Sequence, residues 1–190
     1  MMEVLITGDS ISYGWGVDRQ NQSYAALLKR KLEESCSEVN IRNRGIPGDT
    51  ILDGLARASK DLAGTEPHYI IINFGTNDGL PSLFAGEVRV SLTVFKEKLK
   101  DLVAYFQGNT KAQIFLLTTV AAWEERIAES LVLYNQAIKE VGKEKGVQVV
   151  DIFHHLTEAG REKTVLADGL HPSAYGHEII FREICKKLEG

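Results

Sequence analysis

The chain has 190 residues, 44% hydrophobic and 25% charged, with 17 Gly, 4 Pro and 2 Cys. That length suits one domain spanning residues 1–190, able to bury roughly 70% of its unfolded surface without staples. Collagen-like, disordered and disulfide-scaffold readings are excluded by composition, and a net charge of −4 makes the chain a poor grip for nucleic acid.

Cys36 and Cys185 read as free thiols in a reducing cytosol. Met1-Met2-Glu3 precedes only three apolar residues, so no leader is expected there. No apolar run approaches the roughly 20 residues a bilayer span requires. The expected localisation is cytoplasmic, without a membrane span.

Short apolar runs alternate with amphipathic stretches. Strands are expected over residues 4–6, 39–41, 69–74, 114–117 and 147–150. Between them, Tyr24, Leu28 and Leu32 share one helical face, as do Leu92, Phe95, Leu99, Leu102 and Phe106. Ile127, Leu131, Tyr134, Ile138 and Val141 form a third stripe, and a last helix follows Pro172. This alternation predicts an α/β, three-layer flavodoxin-like sandwich on a parallel sheet. The runs at 69–74 and 114–117 suit central strands, whereas Val39-Asn40-Ile41-Arg42 alternates like an edge strand. A five-stranded sheet of order 2-1-3-4-5 satisfies both.

Ligands of such sheets bind beyond the carboxyl ends of the strands. Four polar blocks fall there: Gly8-Asp9-Ser10, residues 43–50, Gly75-Thr76-Asn77-Asp78, and Asp168-Gly169-Leu170-His171. Together they supply acyl-transfer chemistry, with Ser10 as nucleophile, His171 as base and Asp168 as its orienting acceptor. The Ser10 N–H, the Gly48 N–H and the Asn77 amide are the candidate oxyanion donors. Pro172 keeps His171 out of the helical region and suits the opening of the next helix. Each block alone is ordinary turn chemistry; four blocks at one rim are not.

These blocks resemble the SGNH hydrolases, also called GDSL-type esterases and lipases, over nearly the whole chain. Ile11 replaces the leucine of that label. The resemblance implies hydrolysis of small, lipid-linked or carbohydrate-linked oxy- or thioesters, with no metal or organic cofactor, and leaves a homodimer open. Two alternatives stand beside it: an acyltransferase to a sugar or alcohol, and a non-catalytic module holding phosphate or flavin. Leu80, Pro81 and Phe84 after the third strand, and Trp123 after the fourth, are candidate pocket walls.

Other residues receive plainer readings. His154 and His155 are expected on a strand, pointing to opposite faces, without an acidic partner at ligand spacing. His68 and His177 read as ordinary surface or helix residues. Asp9 and Asp78 are expected to serve local turns, and Gly45 an unusual backbone angle.

Overall fold

The computed structural model describes residues 1–82 and 88–189. Five parallel strands, β1 (Met2–Gly8), β2 (Val39–Gly45), β3 (Tyr69–Asn73), β4 (Gln113–Leu117) and β5 (Gln148–Val150), form one sheet of order β2-β1-β3-β4-β5. The expected order and edge position of the second strand are thus both found. The crossovers contain helices α1 (Ser10–Tyr13), α2 (Tyr24–Glu33), α3 (Ile51–Leu62), α4 (Thr76–Gly79), α5 (Leu92–Asn109) and α6 (Glu125–Lys145). After β5 come α7 (Ile152–Glu158), α8 (Arg161–Thr164) and α9 (Ala174–Leu188).

The period of two along each strand divides the interior into two cores. Leu5, Ile70, Ile72, Ile114 and Leu116 face α3, α5 and α6, where Ile51, Phe95, Phe106 and Ile138 meet them. Val4, Ile6, Ile71, Phe115 and Leu117 face the other way, against Tyr24, Leu28, Leu156, Ile180 and Ile184. The sheet is therefore covered on both sides, as a parallel sheet requires. Among the described residues, no helix is long and apolar enough to cross a membrane.

The structure corrects several expectations. His154 and His155 lie on α7, not on a strand. The apolar run ends at Val150, and the Asp151 side chain accepts from the His154 N–H, starting a helix at once. Pro172 does not open α9. Ser173 caps that helix, and Pro172 instead pairs with Val165 in an isolated antiparallel bridge. Gly45 has no positive φ. A Cβ there would collide with the backbone of Ser12 and Tyr13, so glycine is required for close approach of β2 to α1. His177 is fully buried, stacked on Tyr24, and accepts the Tyr24 N–H at 3.3 Å.

Candidate active site

The end of β1 delivers Ser10 to the rim. Asp9 caps α1 by accepting the Ile11 N–H at 2.9 Å, and Ser10, the first helical residue, is only 6% exposed. Ser10 Oγ lies 2.9 Å from His171 Nε2. His171 Nδ1 lies 2.7 Å from Asp168 Oδ2. The other Asp168 oxygen accepts the backbone N–H groups of Leu170 (2.9 Å) and His171 (3.0 Å), so the turn that carries the imidazole also aims the carboxylate. Burial raises the Asp168 carboxyl, but these N–H groups and the imidazole outweigh it, leaving Asp168 below the usual carboxylate range.

The segment after β2 approaches from the side. Asp49 N–H donates to the Ile46 carbonyl at 3.2 Å, closing a turn with Pro47 and Gly48 at its centre. Gly48 has φ +89°, the left-handed angle that the third residue of a type II turn needs. A Cβ on Gly48 would meet nothing, so backbone angle rather than crowding selects glycine. The turn is tied to the nucleophile strand by Ile46 N–H to the Gly8 carbonyl, 3.0 Å. It is tied to α4 by Asn77 Nδ2, which donates to the Asp49 carbonyl at 2.9 Å. That uses one of its two amide hydrogens.

Asp78 locks the third block to the second. Its fully buried carboxyl accepts the Ile51 N–H at 3.0 Å and the Gly75 N–H at 3.1 Å, thereby serving the local turn and also holding the start of α3. Burial pushes Asp78 up to about 6. Asp9 behaves likewise but more strongly. Burial, with the nearby Asp78 and Asp49 charges, raises it to about 8, and its Oδ2 has no hydrogen-bond partner among the described residues. Asp53 completes this corner by accepting from the Thr50 N–H and hydroxyl at the start of α3.

Sequence reasoning missed Arg57. From α3 its guanidinium donates to Asp49 Oδ2 (2.8 Å), to the Gly8 carbonyl (3.0 Å) and to Asp61, and its plane lies over Phe74. One side chain thus joins the Ser10 strand to the Gly48 turn. The available signal was a cation flanked by Asp53 and Asp61 at four-residue spacing on a helix face. Trp15 was also missed as a site residue. Its ring lies 6.1 Å from that of His171 and is half exposed.

The pocket walls fare unevenly. Trp123 sits at the rim, 46% exposed, with its N–H bound to the Gly169 carbonyl at 2.8 Å and its indole N–H to the Arg161 carbonyl. Leu80 caps the C-terminal end of α4, three residues after Asn77, and is half-buried. Pro81 pairs with Val88, and Phe84 lies outside the described residues.

The family model for the GDSL-like Lipase/Acylhydrolase family matches residues 6–179. Esterase TesA of Pseudomonas aeruginosa is 34% identical over 97 residues, 51% of this chain and 48% of its own length. The mouse isoamyl acetate-hydrolyzing esterase 1 homolog is 26% identical over 98% of this chain and 81% of its own. Among solved structures, the lipase/acylhydrolase from Enterococcus faecalis superposes with a TM-score of 0.85 at 28% identity, covering 100% of this chain and 96% of that one. A match across nearly all of the sheet and the four rim blocks leads to one conclusion: the chain belongs to the GDSL-like lipase/acylhydrolase family and is a carboxylic ester hydrolase.

Proposed function

We propose that this protein hydrolyses carboxylic esters through an acyl-enzyme on Ser10. The observation that carries the reading is the unbroken line from Ser10 Oγ through His171 to Asp168, at 2.9 and 2.7 Å. His171 Nε2 takes the hydroxyl proton as Ser10 Oγ bonds to the carbonyl carbon. Asp168 holds the Nδ1–H and stabilises the imidazolium that forms. The negative charge on the carbonyl oxygen is met by the Ser10 N–H, the Gly48 N–H and the second Asn77 amide hydrogen, donors of a kind worth about 2.7–4 kcal/mol each. His171 then returns its proton to the departing alcohol or thiol. Water, deprotonated by the same nitrogen, releases the carboxylic acid and restores Ser10.

Among the described residues, the side chains around Ser10 and His171 include several that are exposed. Trp15, Ile46 and Trp123 are all close to half exposed around these turns. Such an open, partly aromatic rim supports short acyl groups on a larger leaving group over a long acyl chain held in a tunnel. Hydrolysis of p-nitrophenyl esters from acetyl to dodecanoyl tests both points, with Ser10→Ala run alongside. The expected result is a rate maximum at the short end that disappears in Ser10→Ala. A maximum at the longest chains refutes the open-rim reading alone, whereas unchanged hydrolysis in Ser10→Ala refutes the mechanism.

A further inference from the structure

Helix α7 places two consecutive histidines beside a glutamate. Residues three and four apart are neighbours on a helix, so His154 and His155 both reach Glu158. His154 Nε2 lies 3.2 Å, and His155 Nδ1 3.9 Å, from the same oxygen, Glu158 Oε2. One ligand-capable atom from each of the three lies within 4.8 Å of the others. A tetrahedral ion with bonds of about 2.0–2.1 Å holds its ligand atoms roughly 3.3 Å apart. Small rotations of these solvent-facing side chains close the difference.

A separate element supplies an independent observation. His155 Nε2 lies 3.2 Å from Glu183 Oε2 on α9, and the Glu183 side chain is largely buried. The carboxylate accepts the Nε2–H, which leaves the lone pair on Nδ1, the nitrogen turned toward Glu158. Holding one ring nitrogen with a carboxylate so that the other can bind is how protein metal sites orient a ligating imidazole. A plain helix-surface ion pair between His155 and Glu158 has no need of it.

We propose that His154 Nε2, His155 Nδ1 and the Glu158 carboxylate bind one divalent transition-metal ion of the Zn²⁺ class, with Glu183 orienting His155. Two imidazoles and one carboxylate suit Zn²⁺, Ni²⁺ or Cu²⁺, whereas Mg²⁺ and Ca²⁺ take oxygen ligands. Three protein ligands leave a fourth position for water. The ion joins α7 to α9 through the His155–Glu183 contact. The chain between those helices carries Asp168 and His171, so the metal braces the frame of that segment without touching the ester.

Isothermal titration of the EDTA-treated full chain with ZnCl₂ tests this, with MgCl₂ as the oxygen-seeking control. One saturable Zn²⁺ site per chain is expected, with a raised unfolding temperature and no binding of Mg²⁺ at the same concentrations. His154→Ala and His155→Ala each weaken the affinity at least about tenfold, and Glu183→Gln, which keeps the fold, weakens it by about 10- to 100-fold. His171 is another imidazole within a carboxylate pair, so His171→Ala is titrated in parallel and leaves the affinity unchanged. The proposal is overturned by the absence of a saturable site, by equal binding of Mg²⁺, by binding that survives the double His154→Ala/His155→Ala change, or by binding lost in His171→Ala alone.

Discussion

The two halves of the proposed triad are built in opposite ways. Ser10 is set by long-range structure: a central strand, the buried Asp9 cap, close approach of Gly45, and the Arg57 guanidinium gripping the carbonyl of Gly8. Asp168 and His171 are set by their own turn, three residues apart in sequence, with both N–H groups that orient the carboxylate coming from that turn. The nucleophile side is almost sealed, whereas the Asp168 side chain is 41% exposed. The difference separates what each half risks when altered. Changes beside Ser10 act through the fold, and changes at Asp168 act through proton position alone.

The largest effect sharpens that contrast. Asp168→Asn retains the acceptor for the turn N–H groups but forfeits the charge that stabilises the imidazolium. Its kcat on an accepted ester is expected to fall about 10⁴-fold, with only a small drop in the thermal midpoint. A fall of similar size in stability would show that the turn depends on the fold in the way Ser10 does.

Arg57→Gln attacks the other half. The link between the Ser10 strand and the Gly48 turn is lost, and a displacement of about 1 Å there costs about 10²-fold in kcat. KM changes little, because the oxyanion contacts form only in the transition state. Arg57→Lys does not restore the rate, since an ammonium cannot span Asp49, Asp61 and the Gly8 carbonyl at once. Equal loss in kcat and 1/KM, or full rescue by lysine, would reduce Arg57 to a generic charge.

A third effect concerns pH and has opposite signs in the two halves. Asp9 is raised from 3.8 to about 8 in the folded chain, so the fold favours its neutral form. Its contribution is complete below about pH 4 and is lost as pH rises through 8. Asp168 is lowered, so its small contribution is present above the unfolded pKa and is lost as pH falls through the folded one. Asp9→Asn keeps the acceptor for Ile11 and removes the titration. Urea unfolding between pH 5 and 8 is expected to show a decline with pH in the parent that becomes shallower in Asp9→Asn, leaving the part that buried Asp78 contributes as pH rises through about 6. Parallel profiles would mean that Asp9 is ionised when folded.

Much of this was readable in the sequence because it depends on local pattern. Period-two and helical-period hydrophobic runs name the strands and helices, and the punctuation after each strand names the rim. Ser10, Asn77, Asp168 and His171 each stand beside turn residues that announce them. What was hidden depends on pairs distant in sequence. Gly45 is demanded by Ser12 and Tyr13, and Arg57 matters because Gly8 comes to it from 49 residues away. His177 reads as a helix-surface residue until α2 brings Tyr24 over its ring. His154 and His155 were misplaced for another reason. Val147, Val149 and Val150 extend the apolar run toward Ile152, and only the Asp151 cap reveals that the strand has ended.

The most direct test of the central claim is mass spectrometry of the protein quenched during turnover of p-nitrophenyl acetate. The acyl-enzyme account predicts an acetyl group on the peptide containing Ser10, accumulating when Asp168→Asn slows deacylation and absent from Ser10→Ala. Turnover with no acyl adduct in either protein, or an adduct confined to another residue, would contradict it.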